Sequence, residues 1–408
     1  MPSPERDPKN WLWLALALAA GVPALYFSHL GPGHLEGAGP AALVFGLGIV
    51  GAAFLLAWAS ETAQLDISQA LALAVVALLA VLPEYAVDMV FAWKAGLDPQ
   101  SDYVHYAAAN MTGGNRLLVG IGWPLVVFLF WFSRRAALRL ERDLSLELVF
   151  LAAATLYAFT IPLKGSIALW DAAVLIGLFV AYMWMSARAK AQEPELVGPS
   201  AALAALGRTP RRGAVLFLFA YAALVIILSA EPFADGLVQV GTEAGIDQFL
   251  MVQWVAPLAS ESPEILVAAI LTMRGQATAA MTALVSSKVN QWTLLVGSLP
   301  VVFSVAGGTA QALPLGTRQM EEFFLTSAQS LFAVVLLVRM HISWRGALAL
   351  FVLFLTQVVI PDPRVRLAFA FVYLAATVWV VAADWGRVRE FGRLGRAVVG
   401  SLLGRTAP

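Results

Sequence analysis

Charged residues are scarce in this sequence. Only 13% of its 408 residues are Asp, Glu, Lys or Arg, whereas a soluble globular protein carries about a quarter. The 26 basic and 26 acidic residues give a net charge of zero, so no excess of basic residues indicates nucleic-acid binding. Hydrophobic residues make up 60% of the chain, and its mean hydropathy is +0.78. This composition is typical of an integral membrane protein.

Cysteine is absent, which excludes disulfides, thiolate metal sites and cysteine nucleophiles. The four histidines are scattered without the spacing of metal ligands: His29, His34, His105 and His341. No Gly-x-Ser-x-Gly, His-Glu-x-x-His or paired-Asp motif of an intramembrane enzyme lies in an apolar run. We therefore expect a protein that is not an enzyme and needs no cofactor.

Long apolar runs divide the chain into membrane spans. A run of about 20 residues crosses a bilayer as a helix, so the sequence predicts an all-α, polytopic fold of about 12 spans. The runs lie near 11–29, 40–60, 67–93, 103–132, 145–163, 166–187, 213–243, 246–273, 277–303, 320–338, 343–360 and 365–383.

Lys and Arg are distributed unevenly between the two sides that these spans define. The loops and tails that include 134–142, 188–212 and 387–405 carry 19 of them, and the loops of the opposite side carry five. Because basic loops stay in the cytoplasm, we expect both termini there, in a protein of the cell's inner or plasma membrane.

The two halves of the chain contain related passages. The first includes Pro83-Glu84 and then Asn110-Met111-Thr112-Gly113-Gly114-Asn115, and the second includes Ser260-Glu261-Ser262-Pro263-Glu264 and then Ser286-Ser287-Lys288. The Pro-Glu pairs fall in the third and eighth spans, so the two passages cross the membrane in opposite directions. This is the signature of an inverted repeat, in which interrupted helices near the midplane form the substrate site.

The repeats predict five parts in the chain. Two five-helix repeats are joined by a cytoplasmic linker, with one extra helix at each end and a basic cytoplasmic tail. The boundaries are 1–39 for the first extra helix, 40–187 for the first repeat, 188–212 for the linker, 213–360 for the second repeat and 361–408 for the last helix and tail.

Each Pro-Glu pair combines a freed backbone carbonyl with a carboxylate. A single pair is also compatible with a kinked helix whose carboxylate faces water, but two in corresponding places favour a function. Carboxylates inside a membrane are costly, and a hard cation needs charged oxygens in place of its hydration shell. We predict a cation site there, with Glu84 and Glu264 as its metal ligands.

At these passages the sequence resembles the cation/calcium exchanger superfamily of the sodium/calcium exchanger type. The repeats of that family read Gly-Thr-Ser-x-Pro-Glu, followed by Gly-Asn-x-x-Gly-Ser-Asn. The resemblance implies alternating access and central binding carboxylates at Glu84 and Glu264. It implies further cation-binding or coupling roles for Asn110, Asn115, Ser260, Ser286 and Ser287.

The sequence departs from the family pattern in both repeats. Leu79-Ala80-Val81 replaces the first Gly-Thr-Ser, and Glu261 and Lys288 replace a Ser and the second Asn of the second repeat. Lys288 is either a structurally paired amine or a lysine that a glutamate holds until a cation enters and expels its proton. Secondary candidates are Thr112, Asp88 and Arg116. We expect Arg116 to be structural, either paired with Asp88 or placed at a cavity mouth.

A secondary cation antiporter in the lipid bilayer explains these features together. Because a fixed lysine weakens a dication more than a monovalent ion, we expect Na⁺ or H⁺ movement coupled to another cation. Na⁺/Ca²⁺ or H⁺/Ca²⁺ exchange, as in the usual family, is one alternative. A channel or a carrier of another solute on the same scaffold is the other.

Overall fold

Helices form nearly all of the regular structure in the computed structural model. It describes residues 8–30, 35, 37–66, 82–141, 144–188, 196, 198–360 and 362–402. The helices are α1 (Pro8–Leu30), α2 (Ala38–Ala63), α3 (Leu82–Leu97), α4 (Tyr103–Leu117), α5 (Trp123–Arg134), α6 (Ser145–Ala158), α7 (Thr160–Lys164), α8 (Leu169–Ser186), α9 (Pro199–Ala204), α10 (Arg208–Ala244), α11 (Gln248–Met273), α12 (Ala277–Asn290), α13 (Val296–Ala306), α14 (Thr317–Leu337), α15 (Trp344–Val359), α16 (Pro363–Ala383) and α17 (Gly386–Leu402).

The predicted spans correspond to these helices. Within the described ranges, ten helical segments are long and apolar enough to cross a membrane, and α15 is a shorter apolar helix. The predicted third span, 67–93, is described only from Leu82, so Leu79-Ala80-Val81 lies outside the described residues. The prediction of a polytopic, all-α membrane protein is confirmed.

The chain forms two compact units. The first contains residues 1–91 and 186–264, and the second contains 92–185 and 265–408, so the division falls within α3 and within α11. In the first unit α2 packs along α10 and against α1. Small residues permit this close approach, since Gly46 lies against the ring of Phe233 and Gly236 lies against Ala42.

Helix α10 is longer than a bilayer is thick. Its 37 residues extend over about 55 Å, against about 30 Å of hydrocarbon. The first turn carries Arg211 and Arg212, whose guanidinium groups lie 2.7 and 3.1 Å from the carboxylate of Asp66, beyond the end of α2. The hydrogen bond from Arg211 lowers the pKa of Asp66 to about 2. Asp66 therefore stays ionised at physiological pH and ties the end of α2 to the start of α10.

The second unit contains two broken helices in corresponding places. Helix α4 continues through a π-helical segment, Leu118–Gly122, into α5, and α12 continues through a second one, Gln291–Leu295, into α13. Gly120 lies against Phe354 of α15, and Gly297 lies against Leu175 and Ile176 of α8. Each broken helix thus packs against the last helix of the other repeat.

Two short ribbons show that the repeats run in opposite senses. The ribbons consist of β1 (Leu138–Arg139) with β4 (His341–Ile342) and of β2 (Ser166–Ile167) with β3 (Leu313–Pro314), all antiparallel. The loop after α5 pairs with the loop after α14, while the loop after α7 pairs with the loop after α13. The first loop of one repeat therefore meets the second loop of the other, as an inverted repeat requires.

Candidate functional site

Three glutamates of the first unit lie together. Glu84 is in the first turn of α3, and Glu261 and Glu264 are one turn apart on α11. One carboxylate oxygen of each lies within 4.8 Å of those of the other two. Glu84 is 4% exposed and Glu261 is 1% exposed, while Glu264 is half-buried. The structure thus brings together the two predicted central carboxylates and the glutamate that departs from the family pattern.

Helix α11 holds its two glutamates without unwinding. We expected the proline before Glu264 to interrupt the helix, but α11 continues from Gln248 to Met273 through Pro257 and Pro263, so this expectation was wrong. Pro263 cannot donate to the carbonyl of Ala259, and the hydroxyl of Ser262 donates to it instead, at 3.3 Å. A local hydroxyl therefore replaces the missing backbone hydrogen bond and keeps the helix intact.

The hydroxyl of Ser260, another predicted ligand, is used within the same helix. Ser260 is 4% exposed, and its Oγ donates to the carbonyl oxygens of Ala256 and Pro257, at 3.4 and 3.3 Å. The oxygen keeps its two acceptor positions, because a hydroxyl donates one hydrogen and accepts at two positions. Asp88, one turn after Glu84 on α3, is 1% exposed.

The predicted uncharged polar residues of the first repeat, Asn110, Thr112 and Asn115, are buried on α4. Thr112 donates its hydroxyl to the carbonyl of Ala108 at 2.7 Å, and Asn115 donates its amide to the carbonyl of Met111 at 2.9 Å. Asn110 is 4% exposed. The Oδ1 atom of Asn115 has no hydrogen-bond partner among the described residues, so it is an oxygen that a cation could use.

Side chains of the second repeat donate hydrogen bonds to the backbone carbonyls beside the first π segment. A π turn shifts the backbone hydrogen-bond pattern. The N–H of Trp123 donates to the carbonyl of Leu118, five residues back, whereas the N–H of Leu118 still donates to the carbonyl of Gly114, four residues back. The carbonyl of Asn115 accepts from Lys288 Nζ at 3.0 Å. The carbonyl of Arg116 accepts from the Gln329 amide at 3.3 Å. Such π segments occur often at functional sites.

Lys288 is fully buried at the end of α12. Besides the carbonyl of Asn115, its ammonium faces the ring of Trp292, whose centroid is 4.9 Å away. A carbonyl oxygen and an aromatic face are both favourable partners for a cation. The pairing of Lys288 with a glutamate stays a prediction.

The two predicted serines of α12 differ in their surroundings. The hydroxyl of Ser286 lies 2.6 Å from that of Tyr182, which in turn donates to Glu147 at 3.4 Å. The hydroxyl of Ser287, 8% exposed, has no partner within the described ranges. Ser287 therefore offers a second open oxygen in this unit, next to the Lys288 position in sequence.

A buried group of charges was missed by the sequence reasoning. Arg116 Nη2 lies 2.6 Å from Glu322 Oε2, and Arg366 forms an ion pair with the other oxygen of Glu322. All three side chains are at most 2% exposed. Arg366, one of the five basic residues that we counted in the loops of the opposite side, lies instead within the first turn of α16 and is buried. The pairing of Arg116 with Asp88 stays a prediction; Glu322 is the partner within the same unit.

A family comparison matches both halves of the chain. The model of the family described as sodium/calcium exchanger protein matches residues 39–188 and 214–361. A comparison with proteins of curated function returned no match.

Solved structures resemble the whole chain. A structure titled as the H⁺/Ca²⁺ exchanger CAX is 44% identical, covers 96% of this chain and 99% of its own, and has a TM-score of 0.90. The structure of native YfkE is 17% identical over 85% of this chain and 98% of its own, with a TM-score of 0.61. The sodium-calcium exchanger NCX_Mj is 15% identical over 79% and 98%, with a TM-score of 0.53. The chain belongs to the sodium/calcium exchanger protein family, a family of cation antiporters.

Proposed function

We propose that this antiporter exchanges Ca²⁺ for H⁺, and that Glu84, Glu261 and Glu264 hold the transported cation. The observation that carries the proposal is the cluster of three carboxylates within 4.8 Å in a membrane-embedded unit. Ca²⁺ is bound through oxygen ligands at 2.3–2.6 Å, so carboxylate oxygens about 4–5 Å apart can share one ion. The transport cycle needs no cofactor and no enzymatic step.

The third carboxylate favours a dication. We had argued that a lysine in the second repeat weakens Ca²⁺ more than a monovalent ion. Glu261, 1% exposed, adds a negative charge to the same cluster as Glu84 and Glu264 and offsets that effect. The 44% identity to the H⁺/Ca²⁺ exchanger CAX supports the same two exchanged ions.

Proton coupling follows from the repulsion between the carboxylates. Three carboxylates this close repel one another when all are ionised, so we infer that the cluster holds one or more protons when no Ca²⁺ is bound. An entering Ca²⁺ supplies the compensating charge and displaces them. One group of side chains then carries either protons or the metal ion, which is what exchange requires.

Residues of the second unit keep the roles that the resemblance implied. Asn115 Oδ1 and Ser287 Oγ have no hydrogen-bond partner in the described part of the chain, and Asn110 lies on the same helix as Asn115. We assign these residues, with Ser260 and Ser286, to cation binding or coupling during alternating access. The repeats keep the predicted boundaries of 40–187 and 213–360, and both termini are cytoplasmic in this proposal.

Flux in proteoliposomes tests the exchange. We expect a proton gradient directed out of the vesicles, with the acidic side inside, to drive Ca²⁺ uptake, and a Na⁺ gradient of the same size and direction to drive much less. Glu84→Gln, Glu261→Gln and Glu264→Gln should each reduce flux at least about tenfold, since loss of one charged ligand costs more than 1.4 kcal/mol.

Glu243→Gln is the matched control for these variants. Glu243 is exposed at the end of α10, and its carboxylate accepts from Gln239 in the same helix, so flux should be unchanged. Full flux in both Glu84→Gln and Glu264→Gln would refute the assigned cation site. Equal flux from Na⁺ and pH gradients would refute the proton coupling.

A further inference from the structure

Helix α17 lies beyond both segments that match the family. It begins at Gly386, three residues after α16 ends, and carries four arginines and one glutamate along 17 residues. It is strongly amphipathic, because its apolar residues recur at three- and four-residue intervals at Val388, Phe391, Leu394 and Val398.

The start of α17 is fixed to the end of another membrane helix. Arg387 Nη1 donates to the carbonyl of Val335, in the last turn of α14, at 2.7 Å. Arg339, just after α14, forms an ion pair of 2.5 Å with Asp384, and its hydrogen bonds lower the pKa of Asp384. The clamp is therefore ionised at physiological pH and holds the first turn of α17 where α14 and α16 both end.

Aromatic and basic residues mark this level as a membrane interface. Trp131 at the end of α5 stacks with Trp344 at the start of α15, with ring centroids 5.4 Å apart, and the guanidinium of Arg135 lies 4.6 Å above the Trp131 ring. Trp385, immediately before α17, is 61% exposed. Tryptophan and arginine favour the headgroup region of a bilayer, so α17 begins at headgroup depth.

The faces of α17 divide into three parts. One packs on α6 and includes the buried Val398. About 100° around the helix, Val388 and Val399 are 43% and 51% exposed and form an apolar edge. A further 100° around lie Arg389 and Arg396, both exposed. An exposed apolar edge beside a basic edge fits the boundary between acyl chains and headgroups.

The basic edge keeps an excess of positive charge. Glu390 pairs with Arg393 at 2.8 Å, whereas Arg389 and Arg396 form no ion pair within the described ranges. A nearby open cavity of about 400 Å³ is lined by Arg139 and Arg339. Because Arg339 pairs with Asp384, Arg139 is the further positive charge at this end of α14. Phosphate groups of anionic lipids are the natural counter-charge for such a surface.

We propose that α17 lies in the membrane interface and binds anionic phospholipids, with the Val388–Val399 edge in the acyl boundary and Arg389 and Arg396 on the headgroups. This surface is separate from the cation site. The helix thereby gives the exchanger a preference for an anionic lipid environment around the end of α14.

The absence of cysteine makes the test free of background labelling. Val399→Cys and Ala397→Cys, each carrying one fluorophore in the otherwise full chain, report the apolar edge and the opposite, exposed edge. In vesicles of phosphatidylcholine with phosphatidylglycerol, a nitroxide near the top of the acyl chain should quench the label at 399 and leave the label at 397 bright. Equal quenching at both positions would overturn the interfacial placement. A label at 399 that is shielded from both lipid and water quenchers would also overturn it and would indicate a protein partner instead.

Lipid preference is measured with the same label at 399. Spin-labelled phosphatidylglycerol should quench it more than spin-labelled phosphatidylcholine at equal content. Arg389→Gln with Arg396→Gln should reduce that ratio at least about fivefold, because these two arginines supply the positive charge of this edge that no carboxylate in the described ranges pairs with. Glu390→Gln, which releases Arg393, should raise the ratio. An unchanged ratio in the double variant, with Ca²⁺ flux intact as evidence of folding, would overturn the lipid assignment.

Discussion

Lys288 stands where the family pattern has an asparagine, and it contacts the helix of the first repeat that contains a π segment. Its ammonium lies 3.0 Å from the carbonyl of Asn115, beside the π segment that begins at Leu118. A backbone carbonyl that accepts no hydrogen bond within its own helix is the kind of oxygen that can coordinate Na⁺ in transporters. We therefore propose that the ammonium of Lys288 takes the place of a monovalent ion at this carbonyl.

Replacing Lys288 by Asn, the residue of the family pattern, should alter ion selectivity. Without the ammonium, the Asn115 carbonyl and the new amide oxygen become available, so Ca²⁺ flux should become dependent on Na⁺. The measurement is Ca²⁺ flux in proteoliposomes under opposed Na⁺ and pH gradients, with the coupling ratio obtained from the gradient that stops net flux.

Lys288→Arg is the control, because it keeps both the charge and a hydrogen-bond donor at this position. Its ion selectivity should match that of the unmodified protein. If Lys288→Asn retained the same coupling ratio and the same indifference to Na⁺, the account of Lys288 would be wrong.

At the scale of elements, one buried carboxylate joins three helices. Glu322 on α14 pairs with Arg116 on α4 and with Arg366 on α16. The adjacent carbonyl of Arg116 accepts from Gln329, also on α14. Helix α14 thus fixes the broken helix of the first repeat, and α16, outside the family match, completes the arrangement.

Loss of Glu322 should destabilise the protein strongly. Glu322→Gln leaves two buried guanidinium groups without their counter-charge, which costs about 3–5 kcal/mol. Replacing Glu322, Arg116 and Arg366 together by Met should come close to the original stability, because no unpaired charge then remains. Thermal unfolding of the purified protein in detergent measures both.

Glu321 provides the comparison on the same helix. It is half-buried and next in sequence to Glu322, so Glu321→Gln changes the same chemical group outside the ion network. A shift in unfolding temperature as large as that of Glu322→Gln would contradict the special role of Glu322.

Element boundaries followed from the sequence better than the contacts between elements did. Apolar length alone indicated most spans, since a bilayer selects helices by length. The π segments carry no such signal, because Leu118–Gly122 is as apolar as its neighbours. The pairing of Arg116 with Glu322 joins residues 206 positions apart and depends on helix packing, which apolar periodicity does not encode.

For the whole molecule, opposite repeat directions were predictable from two short motifs. Pro83-Glu84 and Pro263-Glu264 fall in spans separated by an odd number, which fixes their senses. The crossed pairing of β1 with β4 and of β2 with β3 agrees with this topology. The three-carboxylate cluster was predictable in its members, but the continuity of α11 through its prolines was not. Pro263 removes a backbone hydrogen bond, and the hydroxyl of Ser262 replaces it.

The central claim is that one carboxylate cluster binds either protons or Ca²⁺. Calorimetry of Ca²⁺ binding to the purified protein, repeated in buffers of different ionisation enthalpy, counts the protons released per ion bound. We predict net proton release at neutral pH. Glu261→Gln should release fewer protons, and the double variant Glu84→Gln/Glu264→Gln should neither bind Ca²⁺ nor release protons. Ca²⁺ binding without any proton release would contradict the claim.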